Sequence, residues 1–237
     1  MDNNQLIEKL MCFGMTRQEA AIYLCLAENG EMTGYEASKQ TGISRSNAYN
    51  ALAGLVDKGA AYTTEGTAVR YHAVEAEEFC ANKIRLLEEM KMQLKEYMPK
   101  QKKEAEGYLT ITGDAHIRNK VKNMIAQSEK RIYLSMTKNC VHIFENEIRT
   151  AVSEGKKVVI ITDAKLDMPG AVCYQSEDKG RQIGVITDST NVLTGEIGNG
   201  GESTCLYSGQ QNFVQVFKDS MRNEIQLIQL MKGDKSA

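Results

Sequence analysis

Tryptophan is absent from this chain, and proline occurs only twice, at Pro99 and Pro169. With 42% hydrophobic residues, such a composition excludes long disordered stretches. An excess of positive charge is also missing: 29 Lys+Arg stand against 31 Asp+Glu, a net charge of -2. Small nucleic-acid-binding domains usually carry a basic excess. Any DNA binding here must therefore rest on a few placed groups rather than on bulk charge. The longest purely aliphatic run is Val158-Val159-Ile160-Ile161, far short of the ~20 apolar residues of a membrane helix. The opening Met1-Asp2-Asn3-Asn4-Gln5 lacks the basic-then-apolar pattern of a signal peptide. A cytoplasmic protein with no membrane partner is expected. The six cysteines include no CxxC pair, and His72, His116 and His142 lie far apart. Spacing therefore gives no metal site, and no cofactor is expected.

The 237 residues suit one large domain or two modest ones, and they fall into three zones. Residues 1–74 hold short helical patterns broken by glycines. Thr16 with Glu19 reads as a capping box that opens a helix. Thr33 opens a second helix, which ends at Thr41-Gly42. Ser44 caps a third, running to Lys58. Ala61–Thr64 and Ala68–His72 then flank a turn and predict a β-hairpin. Helix, helix, short glycine-containing turn, helix and hairpin is the order of a winged helix-turn-helix.

The helix after the turn has polar first turns and apolar later ones, as a recognition helix in a major groove requires. Arg45 suits bidentate pairing with guanine, and Asn47 or Asn50 pairing with adenine. Ser44 and Ser46 are candidates for phosphate at the helix N-terminus, and Tyr49 shares this face. On the hairpin, Thr63, Thr64 and Arg70 are candidates for the backbone or the minor groove. The bland alternative is that all of these are ordinary solvated residues.

Residues 75–106 place Ala76, Cys80, Lys83, Leu87, Met90, Leu94 and Tyr97 at alternating spacings of four and three. This is a coiled-coil-like seam with one poor position, Lys83. Such a stripe must be buried against something; a second copy of the chain is the economical partner, and the chain's own second domain is the alternative. Residues 107–237 alternate strand-like and helix-like segments, which predicts a parallel, helix-covered sheet. Such a sheet binds ligands outside the carboxyl ends of its strands. Ser135, Thr137, Asp163 and Asp188 lie at these ends, Tyr174 is a stacking wall, and Glu196 is a further polar candidate. These positions equally suit residues that cap helices and turns. Cys140, after Lys138-Asn139 in the first turn of an expected helix, reads as an inert thiol or as a redox sensor.

The stretch Gly14-Met15-Thr16-Arg17-Gln18-Glu19-Ala20-Ala21-Ile22-Tyr23, together with Ile43-Ser44-Arg45-Ser46-Asn47-Ala48-Tyr49, resembles the winged-helix domain of TrmB-type transcriptional regulators. In that family a helical dimerisation segment and a phospholipase-D-like effector domain follow, and many members respond to sugars. The resemblance implies an α+β chain of three parts. Residues 1–74 are a winged helix-turn-helix DNA-binding domain. Residues 75–106 are a helical linker for dimerisation, and 107–237 are an α/β, phospholipase-D-like effector domain.

Active members of the phospholipase-D superfamily carry His-x-Lys, then Asp five residues on and Gly-Ser seven after that. Here Asp188 and Gly195 keep the spacing, but Arg181, Ile183 and Glu196 occupy the His, Lys and Ser positions. Without the attacking imidazole and the lysine, no catalytic residue remains. The expected function is a homodimeric regulator that binds a double-stranded DNA operator and senses a small effector, a sugar being one candidate. Two alternatives stay open. One is a constitutive DNA-binding protein whose second domain only dimerises or recruits a partner. The other is a phosphodiesterase-like enzyme.

Overall fold

The computed structural model describes residues 2–66, 68–99, 107–177 and 179–233. It divides into two compact units, Met1–Lys100 and Gln101–Ala237. The fold is mixed, with helices and strands in both units.

The first unit opens with α1 (Asn3–Cys12) and α2 (Arg17–Asn29). The capping box at α2 forms as expected: Thr16 Oγ1 accepts from Glu19 N at 3.2 Å, and Glu19 accepts from Thr16 N at 2.6 Å. A two-residue strand, β1 (Met32–Thr33), leads into α3 (Gly34–Thr41), and α4 (Arg45–Asp57) follows. Between α3 and α4, Gly42 has φ +70°. A side chain there would be strained, so the glycine sets the sharp turn. The hairpin β2 (Ala61–Thr64) and β3 (Arg70–Ala73) completes a three-stranded antiparallel sheet in the order β1-β3-β2. Thr67, in the expected turn of that hairpin, lies outside the described residues.

Ile22, Leu26, Ala37, Ala48, Leu52 and Leu55 are fully or almost fully buried and form one core. Each large aliphatic side chain among them stabilises the unit by roughly 1.5–3 kcal/mol. The long helix α5 (Ala76–Tyr97) is fixed to this core by its first turn. Phe79 is buried against Tyr23 and Phe13, with ring centroids 6.2 and 6.3 Å away. Beyond this anchor, Ile84, Leu87, Met90, Leu94 and Tyr97 are exposed. The far end of the expected helical stretch, residues 100–106, lies outside the described residues.

The second unit runs β4 (Tyr108–Thr112), α6 (Asp114–Gln127), β5 (Arg131–Ser135), α7 (Lys138–Ile143), α8 (Glu145–Ser153), β6 (Lys157–Thr162) and β7 (Val172–Gln175). It continues with β8 (Gln182–Thr187), β9 (Asn191–Glu196), β10 (Thr204–Ser208) and α9 (Gln211–Gly233). Two expectations are corrected. The single helix expected to begin at Cys140's turn is two helices, α7 and α8, and Thr137 caps the first. The sheet is mixed rather than parallel. Its order is β4-β10-β9-β8-β5-β6-β7, and only β5-β6 and β6-β7 pair in parallel. β8 already enters the sheet antiparallel to β5, and Asp188 and Ser189, with positive φ of +51° and +57°, then turn it straight back into β9 as a hairpin. β9 pairs antiparallel with β8, β10 with β9, and β4 with β10. The core lies largely on the α6, α7 and α8 side, and α9 packs Val214, Met221 and Ile228 against the other face.

Candidate nucleic-acid interface and effector cavities

In the first unit, the N-terminal half of α4 faces solvent. Ser44, Arg45, Ser46, Asn47, Tyr49 and Asn50 are exposed, whereas Ala48, Ala51, Leu52 and Leu55 point into the core. Ser44 Oγ accepts from Asn47 N at 3.4 Å and caps the helix. The Arg45 guanidinium lies over the Tyr35 ring, 4.5 Å from its centroid. This cation–π contact, worth about 0.5–1 kcal/mol when exposed, limits where the guanidinium can point. Nothing in the sequence pairs these two residues; only the turn between α3 and α4 brings them together. The Tyr49 ring rests on Gly34, where a Cβ would fall 2.5 Å from it. On the hairpin, Thr63 and Thr64 are exposed. Arg70 is engaged within its own unit: it donates to the Glu31 carbonyl at 3.4 Å and stands 3.9 Å from Glu36.

In the second unit, the expected effector residues do not form one cluster. Because β8 runs antiparallel to β5, Asp188 lies at the opposite end of the sheet from Ser135, Thr137 and Asp163. Ser135 and Glu196 line a common cavity, together with Lys179 and Glu224, which form an ion pair. Thr137 is occupied in capping, accepting from Cys140 N at 3.3 Å. Asp163 accepts from Lys138 N at 2.8 Å. Tyr174 lines a different cavity beside α9.

Asp188 is fully committed to backbone. Its carboxylate accepts from the N–H groups of Glu129, Lys130 and Arg131 at 2.8, 2.8 and 2.9 Å. Burial works against its charge, but these three bonds outweigh it and hold the carboxyl below its ordinary value. Cys140 is not a low-pKa thiol. Burial pushes it up to about 11, and the nearby Arg118 only partly opposes this. Among the described residues no helix is long and apolar enough to cross a membrane, and no three His, Cys, Asp or Glu gather as a metal-holding group.

Residues 10–77 match the family described as "Sugar-specific transcriptional regulator TrmB". This match lies within the first unit. Over a shorter reach, 77 residues are 31% identical to the HTH-type sugar sensing transcriptional regulator TrmBL1 of Pyrococcus furiosus, covering 32% of this chain and 23% of that protein. Almost the whole chain is similar to the uncharacterized protein YrhO of Bacillus subtilis, 27% identical over 238 residues, 96% of this chain and 86% of that one. Among solved structures, the archaeal chromatin protein TrmBL2 aligns over 94% of this chain and 98% of its own, at 20% identity and a TM-score of 0.44. Half of the chain, 51%, also aligns with 95% of Nuc, a phospholipase D family member from Salmonella typhimurium, at 12% identity and a TM-score of 0.39.

The first unit therefore presents α4, with its polar first turns outward, beside a short hairpin. In the second unit, the two residues that kept the phospholipase-D spacing both have structural work. Asp188 binds three backbone N–H groups, and Gly195 leaves room for the β10 backbone at Thr204 and Cys205, where a Cβ would collide. Ile183, at the lysine position, is buried in the core. Sequence reasoning missed Tyr35 and Phe79. Tyr35 looked like an ordinary helix residue, and Phe79 sits one place off the seam that drew attention.

Proposed function

We propose that the protein is a homodimeric, sequence-specific DNA-binding transcriptional regulator without catalytic activity. Residues 1–74 read the operator, 75–106 join two copies, and 107–237 bind a small effector that biases the placement of the two readers. The observation that carries the reading is α4: a helix of a TrmB-family domain with an exposed polar N-terminal half, its arginine braced on Tyr35. Arg45, Asn47 and Asn50 face base edges, Ser44, Ser46, Thr63 and Thr64 face phosphates, and Tyr49 fixes the spacing of α3 and α4. Arg70 contributes by holding the hairpin against Glu31 and Glu36. The exposed apolar stripe of α5 supports self-association. Contiguous exposed apolar side chains of this kind mark interaction surfaces.

Regulation requires that the effector bind one arrangement of the readers more tightly than the other. Duplexes selected by the protein from a randomised library supply the test. Arg45→Ala should lower affinity for the selected duplex at least tenfold, as loss of one bidentate base contact worth about 1–3 kcal/mol in each half-site implies. The dimer should persist in sedimentation. Unchanged affinity in a gel-shift titration at fixed salt would remove α4 from the interface.

A further inference from the structure

On the α9 side of the second unit's sheet, a cavity of about 500 Å3 opens between the first residues of β5, β6 and β7 and the middle of α9. Arg131 and Lys157 enter it from neighbouring parallel strands, where they are register partners. Lys218 and Arg222 close the same space from the helix. Four cations therefore line the cavity, and no Asp or Glu is among its lining residues. Placing like charges on adjacent strand positions costs free energy. Packing two more cations opposite them deepens that cost.

Neutralisation from within the protein is slight. Arg222 pairs with Asp219 at 2.8 Å. Arg131, Lys157 and Lys218 make no side-chain ion pair among the described residues. Asp188 lies next to the lining residue Ser189, but its carboxylate is turned to the three backbone N–H groups. The rest of the wall is not a bare electrostatic patch. Tyr133 and Tyr174 lie on the same sheet face as the two strand cations, and the Gln229 amide donates to the Tyr174 hydroxyl at 3.4 Å. A volume of this size falls within the ~300–1,000 Å3 range of small-molecule sites. Its setting between sheet and helix suits a compact ligand better than a duplex.

We propose that this cavity binds a small organic phosphate, with the phosphate group among Arg131, Lys157, Lys218 and Arg222 and the polar body against Tyr133 and Tyr174. A phosphomonoester carries about -1.5 to -2 charges near neutral pH and several acceptor oxygens, which answers the unpaired cations. The proposal rests on the reading of the second unit as effector-binding and names the class of effector. It moves the site from the strand ends near Ser135 and Asp163 to the opposite end of the sheet.

Thermal melting of the full chain at constant ionic strength tests it with three probes: pyrophosphate, glucose 6-phosphate and glucose. The last two differ only in the phosphate. Both phosphate compounds should raise Tm saturably at millimolar concentration, and glucose should not. In Lys157→Gln/Lys218→Gln the rise should vanish, while the ligand-free Tm at low salt stays equal or increases because repulsion is relieved. If that double variant does not fold, Lys218→Gln alone should reduce the rise.

No rise with either phosphate compound overturns the proposal. So does an equal rise with glucose, or a rise that survives the substitutions, which would place the anion elsewhere. Weaker DNA binding by the double variant, with no phosphate effect in the parent, would assign the cavity to DNA and also overturn it. The Arg45→Ala gel shift reads the first unit alone, so failure of either test leaves the other result standing.

Discussion

Glu19 shows how one side chain is asked to do several things. It completes the cap of α2, and it also receives Lys58 Nζ at 2.5 Å from the end of α4. Burial works against its charge, yet the bonds from Lys58 and Thr16 outweigh it and hold its carboxyl below the ordinary value of 4.5. A carboxyl depressed in the folded state stabilises the fold above its unfolded value, and that contribution is lost as pH falls through the folded value. Glu19→Gln should therefore lower stability at pH 7, with the gap to the parent closing in acid. Chemical unfolding at pH 7, 5 and 3 checks the sign; a gap independent of pH would contradict it.

Asp188 gives a second residue-scale prediction. Asp188→Ala removes three bonds to a charged acceptor and leaves the N–H groups of Glu129, Lys130 and Arg131 without it. Solvent reaches part of this site, so the loss should be about 2 kcal/mol rather than the full sum. Urea unfolding should show it, with no change in affinity for the selected duplex.

At the scale of elements, α5 and the second unit's sheet teach different lessons. The seam of α5 was legible because a 3-4 alternation of apolar residues is a strong pattern. Its anchoring was not, because Phe79 acts through rings on α1's end and α2 that are far away in sequence. The exposed part of the stripe makes a direct prediction. Leu87→Glu/Met90→Glu puts four like charges into a two-fold seam, and should convert dimer to monomer by analytical ultracentrifugation while the first unit stays folded. A monomeric parent protein would defeat the expectation at once. In the sheet, the strands themselves were readable from runs of β-branched residues. Their directions were not. Alternation of strands with helices before residue 162 suggested parallel pairing throughout, whereas β8 enters antiparallel to β5, a reversal that the residue types of the strand do not signal.

That reversal has its largest effect on the whole molecule. The effector residues singled out from the sequence assumed that every strand ends on the same side of the sheet. Once β8 is inverted, Ser135 and Asp188 are at opposite ends, and the basic cavity gathers residues from strand beginnings instead. Arg131, Lys157, Lys218 and Arg222 are unremarkable one at a time. Their concentration becomes visible only when β5, β6 and α9 are placed together. The first unit was legible for the converse reason: its helices, turn and hairpin are consecutive, so chain order already contains the spatial order. The even charge balance is then a difference in distribution. A chain with a net charge of -2 still collects four cations around one small volume.

The edge strand β4 carries a consequence for how the protein is made. Among the described residues β4 pairs with β10 alone, and the Ser208 hydroxyl donates to the Gly107 carbonyl across 101 residues of chain. During synthesis β4 emerges early and must wait, unpaired, until nearly the whole second unit has left the ribosome. Closing so long a loop is slow compared with helix and hairpin formation. The first unit has no such delay, since its strands and helices are neighbours in the chain. The first unit can thus be folded, with the α5 stripe exposed, before the second is complete, so a chain stopped before β10 should hold a folded first unit and an unclosed sheet.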